Sequence, residues 1–412
     1  MDNNANVITF GCRLNFWESK KISEKLKEAQ AKNIAVFNTC SVTNEAVRST
    51  VKAIKSFHNR NPDIKIAVTG CAVESDFELF KNMNEVSVIV KNAEKIASSS
   101  WNFINFDSSK IPLHPLDMKQ QLRQNPSNSS VRKFVRIQNG CNHACTFCII
   151  PSCRGKSVST NFEMINKEIK NSLNAGIREI ILTGVDITAW GTDLKEKNDL
   201  GFLVKSILSK NPNLMRLRLS SIDIAEIDNN LIECIKNDSR LMPHFHLSVQ
   251  SLDDMILKRM KRRHNTSDVK KLFDKIRKAN SNATFGADLI SGFPTETEKM
   301  FTNTLNNLED LEISHLHVFP YSSKIGTPAS KMPQVPINIR RTRAKILREK
   351  GNQIYKTKLR QQLRIKHKAL IENDRGVGKT ENNFEVELKN FKKGDIVLFS
   401  PDTIENNKLT LL

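Results

Sequence analysis

Short apolar runs alternate with amphipathic stretches along most of the chain, and that alternation predicts its architecture. ANVITF leads into Gly11-Cys12 and a helical pattern from Asn15 to Gln30. IAVFNT leads into Cys40 and a helical pattern from about Thr43 to Asn59, and IKIAVTG leads into Cys71 and another. VSVIV at 86–90 reads as a fourth strand. Strands that alternate with helices pair in parallel through right-handed crossovers. This gives a first domain over residues 1–106. Residues 107–130 are rich in Pro, Ser, Asn and Gln without an apolar period, and read as a linker.

From 131 the alternation resumes six times, in RKFVRIQ, REIILTG, MRLRLS, PHFHLSV, ATFGADLI and SHLHVF. Helical patterns separate these runs, for example at 160–175, 266–280 and 296–311. Six βα units predict an open, partial (β/α)6 barrel over 131–362, ending in a basic helix from about 338. The last segment, 363–412, changes character. IKHKALIEN, NNFEVELKN and GDIVLFS are short alternating runs with Gly and Asn turns, as in a small β-barrel. The fold class is α/β: a parallel-sheet domain, a partial barrel and a small β module.

Composition narrows the class. The 412 residues are 39% hydrophobic and 26% charged, as expected for a soluble protein of two or three domains. No apolar run reaches bilayer length and MDNNANVITF lacks a signal-peptide pattern, so a cytoplasmic protein without membrane contact is expected. In that compartment eight cysteines point to metal ligands, catalytic groups or buried thiols before disulfides. The net charge of +20 points to a polyanion, nucleic acid first, with a Lys-rich solvated surface as the bland alternative.

Cys141, Cys145 and Cys148 form C-x3-C-x2-C after a predicted strand. Three thiolates so spaced suit three corners of an iron–sulfur cubane, leaving one iron open to a ligand. Zinc is the alternative, with His143 or Cys153 as fourth ligand. Cys153, beyond Pro151, reads as an extra buried thiol. Cys12, Cys40 and Cys71 each follow a predicted strand directly. All strand carboxyl ends of a parallel sheet lie on one edge, so these three converge on a second three-thiolate site. Three separate core cysteines are the alternative. Cys234, in the helical LIECIKN, reads as a core residue.

The first cluster, with Phe147 before its last cysteine, resembles the signature of radical S-adenosylmethionine enzymes. GCRLNFWES, NTCSVT and VTGCAVES resemble the N-terminal domain of the methylthiotransferase family. The likeness continues through VDITAWG, RLRLSSIDIAEID, HLSVQSLDDMILKRMKRRH and FGADLISGFPTETE, so it spans essentially the whole chain. Arg13-Leu14 and Val185-Asp186-Ile187-Thr188 resemble the enzymes acting on threonylcarbamoyladenosine in transfer RNA. The isopentenyladenosine and ribosomal-protein enzymes of the family differ in those stretches and are the alternatives. GVGKTENNFEVEL and KKGDIVLF resemble a TRAM domain, a small RNA-binding β-barrel.

The resemblance implies two [4Fe-4S] clusters and S-adenosylmethionine. The cluster on Cys141, Cys145 and Cys148 would cleave the cofactor to a 5′-deoxyadenosyl radical. The cluster on Cys12, Cys40 and Cys71 would carry the sulfur to be methylated and transferred to C2 of adenosine 37 in the anticodon loop. It further implies cofactor contacts from Thr183, Gly184, Ser220, Ser248, Gln250 and Asp288, each of which could equally cap a helix or satisfy a loop. An electron donor such as flavodoxin or ferredoxin and a monomeric enzyme are expected. Arg154-Gly155 is placed near the cluster loop, with a solvated Arg as the alternative. RNA contacts are expected from Lys258, Arg259, Lys261, Arg262 and Arg263, and from the run Arg340 to Arg364, where ten basic residues accompany one acid. A solvated helix face is the alternative for both. Leu252 stands where the family has Gly, which predicts a locally different loop. A non-enzymatic iron–sulfur carrier or RNA-binding protein is the alternative of another class, and three-ligand sites argue against it.

Overall fold

The computed structural model describes residues 5–104 and 131–411; the expected linker 107–130 lies outside them. The chain forms two compact units. One is the N-terminal region with Gly140–Lys156 and Ser322–Thr327, and the other is the remainder.

In the first unit β1 (Asn6–Thr9), β2 (Ile34–Thr39), β3 (Lys65–Gly70) and β4 (Val88–Ile89) lie side by side in chain order, all parallel. IAVFNT is continuously apolar up to its polar end because every residue of β2 is buried, as in a sheet covered on both faces. One face packs Phe37, Ile54, Phe57, Val68 and Phe80; the other packs Ile22, Leu26, Val36 and Trp101. Helices α1 (Arg13–Glu28), α2 (Asn44–Arg60), α3 (Cys71–Ser75) and α4 (Phe77–Lys81) follow the first three strands. In α2, Val47, Thr50, Ile54 and Phe57 recur at helical spacing and are buried, and the Thr43 side chain accepts from the Ala46 N–H to cap its start.

The second unit holds six parallel strands: β5 (Arg132–Arg136), then, past the short antiparallel pair β6 (Gln138–Asn139) and β7 (Val158–Ser159), β8 (Glu179–Thr183), β9 (Arg216–Leu219), β10 (His244–Gln250), β11 (Thr284–Ser291) and β12 (His315–Pro320). The short helix α5 (Ile150–Arg154) between β6 and β7 belongs to the first unit. Hydrogen bonding joins β5-β8-β9 and β10-β11-β12, and isolated bridges link the two sheets at Leu217–Leu241 and Ile222–Leu247. All six expected strands are present. Helices α6 (Phe162–Asn174), α7 (Leu200–Lys210), α8 (Asn229–Asn237), α9 (Asp254–Arg259), α10 (Thr266–Ala279) and α11 (Glu298–Asp310) alternate with them, and α12 (Ile337–Arg360) follows. Val135, Leu182, Leu217, Phe245, Phe273, Phe285 and Leu289 belong to their shared core.

The C-terminal strands β13 (His367–Ile371), β14 (Val377–Lys379), β15 (Glu385–Glu387), β16 (Ile396–Phe399), β17 (Thr403–Glu405) and β18 (Lys408–Thr410) form one sheet in the order β16-β13-β14-β15-β18-β17. Its core includes Leu359 of α12 with Ile371, Phe384, Val386 and Leu409. Sequence alone predicts a separate module at 363. In the structure the sheet lies in the same compact unit as the barrel.

The physical reason is a buried ionic seam at the amino ends of the barrel strands. Glu179 sits between Arg132 (2.6 Å), Arg216 (2.9 Å) and Arg218 (3.2 Å). Arg132 also pairs with Glu372 at 2.9 Å. Arg216 donates to the carbonyls of Lys368 and Thr380, and Arg218 to that of Glu381. Burial alone would raise the Glu179 pKa, but the three guanidiniums hold it well below the usual carboxylate range.

His315 lies at the same seam, against the rings of His244, Tyr355 and Phe384. Burial pushes its pKa down to about 3. The unfolded chain therefore binds the extra proton, so this contribution is complete above about pH 6.5 and is lost as the pH falls toward 3. The urea midpoint should drop through that window, and His315→Phe should flatten the drop. Equal slopes in both proteins would contradict this assignment.

Candidate active site

Cys12 caps the start of α1, Cys40 follows β2, and Cys71 opens α3. All three stand at the carboxyl edge of the first unit's sheet, as the strand spacing predicts, and all are free thiols. Polar side chains hold the edge together. Asn15 donates to the Phe10 and Thr39 carbonyls at 2.7 and 2.9 Å, Asn38 to the Asn15 carbonyl at 3.0 Å, and Thr39 to the Thr69 carbonyl at 2.7 Å. Gly11, at φ +93°, has no substitute here. A Cβ on it would fall 2.6 Å from the Cys40 sulfur. Gly11→Ala should therefore lose this site selectively. After anaerobic reconstitution, iron should fall from about eight to about four per chain if two cubanes are held; an unchanged content would contradict the geometry.

Cys141, Cys145 and Cys148 lie on a loop pinched at its base, where the Cys141 N–H donates to the Gly155 carbonyl at 3.1 Å. The Cys148 N–H bonds the Cys145 carbonyl at 3.2 Å, and the His143 N–H lies 3.4 Å from the Cys141 sulfur. All three cysteines are partly accessible. Residues Gly140–Lys156 cluster with the N-terminal unit. The cause is visible just after the third cysteine. Cys153, on α5, is buried with its sulfur 3.6 Å from the Ser41 hydroxyl, and its carbonyl accepts from Asn92 at 2.8 Å. The extra thiol is thus part of the packing, as is Cys234, buried on α8.

Arg154 ends that helix with its side chain 2% exposed. Its Nε donates to the Cys71 sulfur at 3.2 Å, while its Nη atoms reach Glu18 at 2.7 Å and Asn15 at 2.7 Å. Lys95 closes the group from the other side, 2.5 Å from Glu18 and 3.3 Å from the Asn38 amide oxygen. The solvated alternative for Arg154 is therefore excluded. Sequence reasoning did not single out Glu18 or Lys95. The available signal was the pair Asn15 and Glu18, three apart on the helix that begins at Cys12.

These donor sets fit iron–sulfur clusters. Burial pushes the thiols of Cys40 and Cys148 up to about 12, and a thiophilic metal that takes the sulfur displaces the proton. Two thiols of the strand-end set are buried and a guanidinium contacts one of them, a setting that favours an anionic sulfur centre.

In the barrel unit, Thr183 ends β8 buried, and its carbonyl accepts the Ile137 N–H at 2.9 Å. Gly184 follows against Gln138, whose side-chain oxygen accepts the Val185 and Asp186 N–H groups at 3.0 and 2.9 Å. Ser220 follows β9 with its N–H on the Leu182 carbonyl, and the Ser248 N–H bonds the Ile222 carbonyl. Gln250 ends β10 at φ +70°. Asp288, on β11, shares one oxygen between His246 (3.0 Å) and His317 (3.2 Å) from the flanking strands. Burial opposes its charge, but the two imidazoles hold the carboxyl well below its ordinary range. The histidines were not expected at the site; the alternating His pairs of HFHLSVQ and HLHVF are the signal that marks them.

Leu252 is fully buried in the barrel core and has no left-handed backbone. The positive φ falls two residues earlier, at Gln250. Among the expected RNA contacts, Arg262 turns inward to Asp223 at 2.6 Å and the Ser248 carbonyl at 2.7 Å, because a buried carboxylate requires a partner. Arg263 pairs with Asp223 and Glu226, and Arg259 donates to the Thr295 carbonyl. Lys258 and Lys261 are exposed.

Residues 135–308 match the Radical SAM superfamily, and residues 4–91 match Uncharacterized protein family UPF0004. The threonylcarbamoyladenosine tRNA methylthiotransferase MtaB of Rickettsia prowazekii is 44% identical over 93% of this chain and 91% of its own. That of Thermotoga maritima is 32% identical over 85% and 82%. A tRNA-2-methylthio-N(6)-dimethylallyladenosine synthase of Clostridium tetani is 32% identical over 84% and 80%. Among solved structures, the radical S-adenosylmethionine methyltransferase TsrM of Kitasatospora setae, with cobalamin and a [4Fe-4S] cluster bound, superposes with a TM-score of 0.56. It covers 80% of this chain and 77% of its own at 11% identity, a likeness of fold alone.

Proposed function

We propose, from the premise that this chain belongs to the MtaB-type radical S-adenosylmethionine tRNA methylthiotransferases, that its substrate is N6-threonylcarbamoyladenosine at position 37 of the anticodon loop. The chain is an enzyme of that family, and the family implies [4Fe-4S] clusters and S-adenosylmethionine as cofactors. The finer reading is that two clusters serve one conversion, to the 2-methylthio derivative. One observation carries the substrate: 44% identity along 93% of the chain to an enzyme named for it. Arg13-Leu14 at the start of α1 agrees, since the isopentenyladenosine enzymes differ there.

When bound, the clusters and cofactor supply a radical able to take hydrogen from an aromatic carbon, together with the sulfur that replaces it. The chain's residues bind and orient. Cys141, Cys145 and Cys148 are the thiolates for one cluster, and Cys12, Cys40 and Cys71 for the other. Gln138 fixes the turn after β8 by accepting two successive N–H groups, which holds Thr183 and Gly184 in place for the cofactor. Ser220, Ser248 and Gln250 stand at the following strand ends. His246 and His317 keep Asp288 ionised, so it accepts hydrogen bonds and donates none. The C-terminal sheet is the TRAM-like RNA-binding element. The remaining parts of the reading are a monomer, a flavodoxin or ferredoxin as electron donor, and a cytoplasmic location.

Nucleoside mass spectrometry of tRNA from a strain lacking the gene tests the substrate. The 2-methylthio derivative of threonylcarbamoyladenosine should vanish and its precursor accumulate. Loss of the isopentenyladenosine derivative instead would move the assignment to that substrate, and unchanged tRNA would remove it altogether. Transfer RNA affinity should fall steeply with salt, and Lys258→Ala and Lys261→Ala should each reduce the logarithmic salt slope by about one. An unchanged slope would take both lysines out of the RNA face.

A further inference from the structure

Strands β10, β11 and β12 lie side by side, and their register sets His246 opposite Gly286 and Asp288 opposite His317. Gly286 has no side chain to block the His246 ring; a Cβ there would fall 2.6 Å from its Nδ1. Asp288 is two residues further on, so it shares a face of β11 with that gap. His246 Nε2 comes within 3.0 Å of Asp288 Oδ1, and His317 Nδ1 comes within 3.2 Å of the same oxygen. All three donor atoms lie within 4.8 Å of one another. The His246 side chain is 6% exposed, that of Asp288 27% and that of His317 51%, so the cluster is anchored on one flank and open on the other. One layer down, the His244 and His315 rings pack 4.6 Å apart and His244 Nδ1 meets the Thr284 hydroxyl at 2.9 Å, which is ring contact and hydrogen bonding.

The upper layer has a different chemistry. Two ligands at right angles on a metal, each about 2.1 Å away, stand about 3.0 Å apart. The two nitrogen–oxygen separations match that spacing, and both nitrogens approach a single oxygen instead of one each. Two imidazoles and a carboxylate suit a divalent first-row transition metal, whereas magnesium and calcium prefer oxygen ligands throughout. Three protein ligands leave positions for water, which reaches them along the open flank at His317. We propose that His246, Asp288 and His317 form a binding site for a divalent transition-metal ion, with no cysteine among its ligands. Each ligand comes from a different one of three neighbouring strands, so the sheet sets their geometry before an ion arrives. Ser248 lies two residues past His246 on the same face of β10, which puts the ion one layer below that strand end. The site does not depend on the cluster reading, because no thiolate takes part.

The test removes the competing thiols. In the full chain with Cys12, Cys40, Cys71, Cys141, Cys145 and Cys148 all changed to Ser, Co2+ is titrated and its ligand-field absorption is followed. About one equivalent should bind. His317→Ala and Asp288→Asn should each weaken binding about 100-fold or more, since losing a ligand outweighs the roughly 10–100-fold cost of losing an outer-shell partner. His315→Phe, one layer lower, should keep the ion. A parent that binds no Co2+, or the same affinity in His317→Ala and Asp288→Asn, would reduce the cluster to hydrogen bonds and overturn the proposal. Should that parent fail to fold, Mn2+ titration of the unaltered chain makes the same comparison, read by the electron paramagnetic resonance of the free ion. Thiolates compete poorly for Mn2+, so the cysteines do not mask the result.

Discussion

Replacing Cys12, Cys40 or Cys71 with Ala should abolish methylthiolation of tRNA while cleavage of S-adenosylmethionine continues. The same change at Cys141, Cys145 or Cys148 should abolish both. The two outcomes are separable because each set stands on a different kind of support. One is local, a loop pinched between Cys141 and Gly155. The other is built by topology, from three strand ends latched by Asn15, Asn38 and Thr39. Removing a strand-end cysteine leaves the loop's ligands untouched. Quantifying 5′-deoxyadenosine alongside modified nucleosides separates the two outcomes. A strand-end variant that still methylthiolates would take that cysteine out of the reaction. A loop variant that still cleaves the cofactor would do the same for the loop.

The largest effect on stability should come from Glu179→Gln. The change keeps the shape of the side chain but removes the anion shared by Arg132, Arg216 and Arg218. Breaking a buried ion pair by removing one partner costs about 3–5 kcal/mol, because uncompensated charge stays behind. Here Arg132 keeps Glu372, whereas among the described residues Arg216 and Arg218 keep carbonyl acceptors of the C-terminal segment. That sheet should therefore loosen first. A fall in the urea midpoint, with faster proteolysis between residues 363 and 411, is the expected result. Wild-type values for both would mean that the seam contributes little.

The barrel's strands were legible because RKFVRIQ, REIILTG and their successors are short apolar runs of strand length, set apart by helical periods. The placement of the six candidate cysteines was legible for two reasons. Local spacing fixes a loop motif, and in a parallel sheet a residue just past a strand always falls on the same edge. The fate of the charges was not legible. Arg262 and Lys258 belong to one basic run, yet one is buried on Asp223 and the other faces solvent. A linear run of positive charge does not say which of its members has a carboxylate waiting inside.

The sequence by itself therefore determined the class of the protein through its resemblance to a known family, and it marked the strands of both parallel sheets and the two sets of three thiols through periodicity and spacing. Tertiary structure alone decided that Arg154 meets Glu18 and Cys71, 136 and 83 residues away, and that the C-terminal sheet joins the barrel through Glu179. Those are long-range pairings of buried charge, and such pairings are set by which groups folding brings together after water has been removed.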